Sequence, residues 1–497
     1  MIRAAIAAAL FLLLAAVHYP YLRLPYFWDE LGQFIPASLD LLYAQSWIPI
    51  TTTPNIHPPG VMAYLALVWK IGNSGAHSIL ATRLAMLALA AFGALGSFLL
   101  AIRLGRGCPG YPALPAILLL LASPLFYAQS MLAQLDMPAM VFTVWALYLF
   151  LEERHAMAAV ACTALCMSKE TGAILPGMIA AWLVVRERQW KFAAYYVASL
   201  VPLFIWVGAL WQETGSPLGD SQFAQYNAVY SLHPVRLLAA VPRRFFYLFV
   251  SEFRWIGTLA ILAAPRGTFA GSVAWRWVAA FGFAHILTVS VFGGAVLERY
   301  LLPVLPLVYA AMGCAFANLQ SARLRLVAPA ALTVGLIVSI FTGPPYLAPF
   351  ENNIAFTDFV QLHEEAAIAL NRMQPRRPRS VATAWPLTDA LRRAEFGYSD
   401  MTFEQIVETT DFSPRNVEEA LRKAPGVEVV VLYDRLHEPA WTLSAIPWVR
   451  EFLVKYYGYS PQITAAEMRS LGYVQALRLE QRGQWLAIYT SPRAFQQ

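Results

Sequence analysis

About eleven apolar windows separated by short connections constrain this chain more than any single motif does. They lie near residues 4–22, 78–102, 111–127, 137–151, 156–168, 172–185, 192–211, 246–263, 276–292, 300–317 and 326–343. Most approach the roughly 20 residues that a helix needs to cross about 30 Å of hydrocarbon. Only 13% of the residues are charged, against roughly 25% in soluble domains, and the mean hydropathy is +0.51. The expected fold class is therefore a polytopic α-helical membrane protein with about 11 transmembrane helices. Basic residues collect in alternate connections: Arg3, Arg103 with Arg106, Arg154, the Arg186/Arg188/Lys191 cluster, Arg266, and Arg323 with Arg325. The positive-inside rule then predicts a cytoplasmic N-terminus, and an odd number of spans carries the C-terminus to the other face. The net charge of +6 comes from these clusters. With no basic stripe on a soluble face, membrane lipids rather than nucleic acid are the expected partners. The run after Arg3 lacks a small-x-small cleavage site and reads as a retained first span. Cys108, Cys162, Cys166 and Cys314 lie in or beside apolar windows, so no disulfide framework or zinc site is expected.

Two segments depart from the apolar pattern. Residues 23–77 are too long for a turn and too apolar for a disordered loop. Leu39–Tyr43 and Val61–Leu67 fit two short interfacial helices in this first outer loop, Asp29-Glu30 opening the first and His57-Pro58-Pro59 the second. From about residue 346 the sequence turns polar and alternating. Residues 357–373 read as a helix, and 380–385, 427–433, 473–479 and 485–490 as strands. The expected organisation is a transmembrane catalytic domain over 1–345 and a small soluble α/β domain over 346–497 on the outer, periplasmic face.

The candidate site residues share that outer face. Asp29 and Glu30 stand where the first helix leaves the membrane, as either a solvated helix end or a working acid pair. Asp136 starts the fourth window, and a carboxylate beside hydrocarbon needs a partner or a task; a helix N-cap is the plainer alternative. Lys169 interrupts an apolar stretch at head-group depth, either neutralised by Glu170 or available to a lipid phosphate. Arg83, Arg299 and His57 are further candidate phosphate ligands, although each arginine taken alone is a common snorkelling anchor. Asp29, Asp136 and His57 are candidate ligands for a divalent metal, but no tight spacing demands one. Cations next to a general base suggest displacement at a carbon bearing a phosphate leaving group. Asp29 would take the proton of an acceptor hydroxyl, and the cations would stabilise the departing lipid phosphate.

Taken in order, these residues resemble the GT-C superfamily of polyprenyl-phosphate-sugar glycosyltransferases, of the protein O-mannosyltransferase and aminoarabinose transferase type. The resemblance covers roughly residues 1–345. It is carried by Asp29-Glu30, His57-Pro58-Pro59, Arg83-Leu84, Asp136-Met137-Pro138, Ser168-Lys169-Glu170-Thr171-Gly172 with Pro176, and Arg299-Tyr300-Leu301-Leu302-Pro303. It implies a catalytic base at Asp29, a supporting acid at Asp136 and a phosphate contact at Lys169. The aminoarabinose type has Glu-Lys before Pro-Pro where this chain has Ile56-His57, and leucine usually follows His-Pro-Pro where this chain has Gly60. The reading is a bacterial inner-membrane enzyme that inverts the anomeric centre, moving a sugar from a polyprenyl-phosphate donor to a lipid, glycan or protein acceptor. A transporter or flippase of a lipid-linked glycan precursor is the alternative.

Overall fold

A computed structural model describes residues 1–491 except 73, 226, 228–231, 266, 294–296, 374–377, 400–402 and 439–444. Arg266, one of the expected topology signals, lies outside the described residues. The chain forms two compact units: Met1–Pro20 with Pro36–Thr342, and Tyr21–Ile35 with Gly343–Gln497.

The first unit is helical, as runs of Leu, Ala, Val and Ile must be where backbone groups find partners only within their own segment. Among the described residues, five helices are long and apolar enough to cross a membrane: Ile2–Tyr21, Ile79–Leu104, Trp190–Thr214, Val273–Val291 and Ala322–Phe341. Ala113–Ala122 and Pro124–Met131, bent by 63°, make a sixth if counted together. The chain is thus a multi-pass membrane protein, but continuous spans fall short of the expected count of about 11. The remaining windows are cut short by local chemistry. Pro124 has no N–H to continue a helix, and Ser123 before it is extended. Lys169 is likewise extended and ends the His155–Ser168 helix. That helix and the Asp136–Leu151 and Leu305–Ala317 helices run only 14, 16 and 13 residues. Both helices expected in the first loop are present. One is Gly60–Gly72, and the other is a helical run over 30–44 with wider π turns on either side of Ile35–Leu39.

The Asp136–Leu151 helix packs between Ile79–Leu104 and His155–Ser168, around a core that includes Leu100, Val144, Leu147, Leu165 and Ile179. Arg103 and Arg106 both pair with Glu152, at 2.9 and 2.7 Å, so two of these helices end together. Arg83 and Asp136 near their other ends therefore point toward a common end of the bundle.

The second unit holds one sheet in the order β2-β1-β3-β5-β4. The strands are β1 Ser380–Ala384, β2 Gln405–Thr409, β3 Val429–Tyr433, β4 Val474–Gln481 and β5 Gln484–Thr490. β1 runs parallel to β2 and β3, while β5 is antiparallel to β3 and β4. Every residue of β1 and β3 is buried, as strands covered on both faces require. β2, absent from the sequence expectation, is a five-residue edge strand with Gln405, Glu408 and Thr409 among its members. The Ala355–Asn371 helix packs across β4 and β5. Because β1 lies between two parallel partners, chain crossovers leave it in both directions. An open α/β sheet offers its ligand crevice at such a point, beyond the carboxyl ends of the strands.

Candidate active site

In the first unit the structure gathers charge around Asp136. Asp136 opens its helix and Lys169 follows the end of the neighbouring one. Lys169 Nζ donates to Asp136 Oδ1 at 2.5 Å, and Arg299 Nε lies 3.5 Å from Asp136 Oδ2. The Tyr300 ring lies 4.0 Å from the Lys169 ammonium, 5.7 Å from the Arg299 guanidinium and 5.9 Å from that of Arg244. Exposure is 2% for Asp136, 7% for Lys169, 4% for Arg299 and 2% for Arg244, so the cluster is nearly dry. The short Glu298–Leu301 turn that carries Arg299 and Tyr300 is fixed on both sides. His285 Nε2 bonds the Tyr300 carbonyl at 2.8 Å, and Glu298 accepts from Arg243 Nε at 3.1 Å.

Four cations, Lys169, Arg243, Arg244 and Arg299, meet the carboxylates of Asp136 and Glu298 here, and the Glu170 carboxylate follows Lys169 directly in the chain. Arg244 donates from Nη2 to the Val289 carbonyl at 2.6 Å, while its Nε and Nη1 are buried without a hydrogen-bond partner. A guanidinium in an apolar setting is costly unless an anion meets it. Chemically, such an arrangement suits a compact anion. Sequence reasoning missed Arg243, Arg244 and His285, and gave Tyr300, quoted beside Arg299, no role of its own. The available signal was Arg243-Arg244, two adjacent arginines just ahead of the apolar window that starts near 246.

The other expected phosphate ligands hold the frame. His57 Nδ1 bonds Glu170 Oε2 at 2.9 Å, which ties the His-Pro-Pro segment to the residue after Lys169. Gly60 explains itself here: a Cβ at that position would sit 2.4 Å from the Met167 carbonyl oxygen. Leucine at 60 would therefore push the segment off the end of the His155–Ser168 helix and His57 away from Glu170. Arg83, fully buried, donates from Nη1 to the Met131 carbonyl at 3.0 Å, joining its helix to the bent one.

Asp29 and Glu30 belong to the second unit. Glu30 is fully buried, and its Oε2 accepts the Phe27 N–H at 2.7 Å, which closes the start of its own helix. Asp29 is only partly buried. Trp28, just before them, has φ +48°, a left-handed conformation rare for a bulky side chain.

No group of three or more His, Cys, Asp or Glu side chains is gathered for a metal ion among the described residues. The three candidate ligands form no such group: Asp136 is engaged by Lys169 and Arg299, and His57 by Glu170. All four cysteines are free thiols.

No known family profile matches the sequence, and no curated protein matches it. ArnT from Cupriavidus metallidurans in the apo state superposes with a TM-score of 0.53 at 14% identity, over 97% of each chain. The apo oligosaccharyltransferase of Archaeoglobus fulgidus follows at 0.47 and 10% identity, over 87% of this chain and 69% of that one. The Pmt1-Pmt2 protein O-mannosyltransferase complex of S. cerevisiae gives 0.33 at 16% identity, over 46% of this chain and 36% of that one. At such identities the likeness is one of fold, and it rests on ArnT.

Proposed function

We propose that this protein is an inverting glycosyltransferase. It moves a sugar from a polyprenyl-phosphate donor to an acceptor hydroxyl at the outer face of a bacterial inner membrane. The observation that carries the reading is the buried cluster of Lys169, Arg299 and Arg244 about Tyr300, in which two nitrogens of the Arg244 guanidinium have no hydrogen-bond partner. A lipid phosphate is an anion of the kind such a cluster would take. Cations preorganised in a dry site favour the charge that grows on the leaving phosphate during bond breaking.

Each residue then has a task. Asp29 accepts the proton of the acceptor hydroxyl as its oxygen bonds to the anomeric carbon. The bond from that carbon to the phosphate oxygen breaks with its electron pair, leaving the polyprenyl phosphate on Lys169, Arg299 and Arg244. A single displacement inverts the carbon. Asp136, held by two cations, orients them rather than serving as a base, and Glu30 fixes the loop that carries Asp29. His57 and Arg83 hold the turn and the helix that bring Lys169 and Asp136 together. Removing a positioned general base typically costs about 10²- to 10⁴-fold.

The test has two stages. Envelope lipids and glycans are compared by mass spectrometry with and without this chain, which names the product. Purified Asp29→Asn is then assayed with that donor and acceptor. Lipid binding with transfer lowered by about 10²-fold or more is the expected result. Transfer at the wild-type rate would overturn the mechanism, and lipid movement across vesicles without any sugar transfer would favour a flippase.

A further inference from the structure

The ligand crevice of the sheet in the second unit is filled by the chain's own first loop. β1 and β3 end at Ala384 and Tyr433, linked by a 2.9 Å bond from the Tyr433 hydroxyl to the Ala384 carbonyl. Trp385 follows β1 and meets the Trp28 ring edge-on with centroids 5.1 Å apart. Arg435, two residues past β3, places its guanidinium 5.9 Å from the same ring. Phe359, from the Ala355–Asn371 helix, lies 5.5 Å from Trp28 and 5.4 Å from Phe27.

The backbone of the loop is clamped as well. Tyr26 N–H donates to the Phe396 carbonyl at 3.2 Å, and the Tyr398 hydroxyl donates to the Tyr26 carbonyl at 2.6 Å. On the far side of the acids, Gly32 leaves room for the indole of Trp385, since a Cβ there would sit 2.9 Å from its Nε1. Trp385 Nε1 is itself held by Asp389 at 3.0 Å. Residues 26 to 32 are thus gripped before and after Asp29. A positive φ at a tryptophan is strained and persists only where the surroundings over-determine it.

We propose that the C-terminal domain is the positioning element of the reaction, with Trp385 and Tyr398 as the positioning residues that fix the Trp28-Asp29 backbone in the crevice at the end of β1 and β3. The proposal rests on Asp29 being the general base. It departs from the usual use of such a crevice, because here the sheet binds a loop of its own chain and the loop carries the chemistry.

The experiment uses the full-length protein in detergent micelles. Hydrogen exchange is followed at residues 24–33, and kcat and KM are measured with an undecaprenyl-phosphate-linked pentose or hexose by release of undecaprenyl phosphate. Trp385→Ala and Tyr398→Phe are expected to speed exchange in the loop and lower kcat about ten- to a hundredfold with KM for the lipid unchanged, since misplacement by about 1 Å can cost that much. Trp385→Phe should recover most of both. Tyr398→Phe keeps the ring and decides alone if Trp385→Ala unfolds the sheet. Unchanged exchange, or a loosened loop with unchanged kcat, would overturn the proposal. Asp29→Asn runs in parallel. Wild-type turnover in that variant refutes the base assignment, whereas a dead Asp29→Asn beside fully active cradle variants refutes only the cradle.

Discussion

The two units hold their acids by opposite means. Around Asp136 in the first unit, charge is held by charge: a carboxylate 2% exposed meets Lys169 and Arg299, and the turn that carries Arg299 is braced by His285 and Arg243. Around Asp29 in the second unit, the loop is held by aromatic packing and backbone hydrogen bonds while the acid itself stays partly open. The difference teaches what each carboxylate is fit to do. An acid locked between cations in a dry place suits a binding frame, while the base role proposed for Asp29 calls for an acid on a loop that its surroundings hold still.

Removing one side of that balance should show it most strongly. Asp136→Ala strips Lys169 and Arg299 of their common carboxylate and should destabilise the fold by about 3–5 kcal/mol, seen as a lowered melting temperature in detergent. The pair Asp136→Leu with Lys169→Met should regain much of that stability without regaining transfer. Melting of Asp136→Ala at the wild-type temperature would erase the contrast, and Asp29→Ala supplies its other half, with a smaller loss because no buried cation is left unpaired.

A second test lies in the pH response of the second unit. Burial pushes the Asp434 carboxyl up to about 7, against the Trp485 N–H and Arg478, which draw it down, while Glu438 adds to the rise. The folded state therefore keeps a proton that the unfolded chain loses near pH 4. Stability from this group is greatest below that value, declines as pH climbs through the window from about 4 to 7, and is level above it. At roughly 1.4 kcal/mol per unit the decline amounts to about 2–4 kcal/mol. Asp434→Asn should flatten the melting profile between pH 5 and 8 and raise it at the alkaline end. An unaltered slope would place Asp434 in a wetter setting.

Smaller effects sharpen the picture. Arg244→Met should weaken binding of undecaprenyl phosphate by about 1.5–3 kcal/mol, the loss of a hydrogen bond to a charged group. The fold should be unchanged or firmer, because a buried guanidinium no longer has to be desolvated. Equal affinity in native mass spectrometry would remove Arg244 from the anion site. Least of all, Glu30→Gln turns a charge-assisted bond to the Phe27 N–H into a neutral one and should cost about 1 kcal/mol, read as faster amide exchange at residues 27–31.

Much of this was legible beforehand. The apolar windows follow from composition because a helix in lipid needs nothing beyond its own residues, and the Val427–Tyr433 run declared a buried strand for the same local reason. Lys169, Asp136 and Arg299 were legible as charges out of place, since an ionised group in an apolar stretch stands out in any sequence. The span count was less so, because Ser123-Pro124 and Ser168-Lys169 break windows that hydropathy averages smoothly. Arg243 and Arg244 left only a faint trace as an adjacent pair: ahead of an apolar window, arginines look like ordinary solvated residues until packing buries them.

The sequence by itself determined the solvent of each segment, the residues that must be helical, and the handful of charges that had to find partners. Which partners they found was decided only by the fold. Lys169 and Asp136 are 33 positions apart, and Tyr26 and Tyr398 are 372 apart; contacts over such separations depend on how helices and strands pack, a collective outcome that no local stretch of chain encodes. The same holds for Asp29, whose residue type announces an acid, while the sheet that seats its loop is built by residues at the other end of the chain.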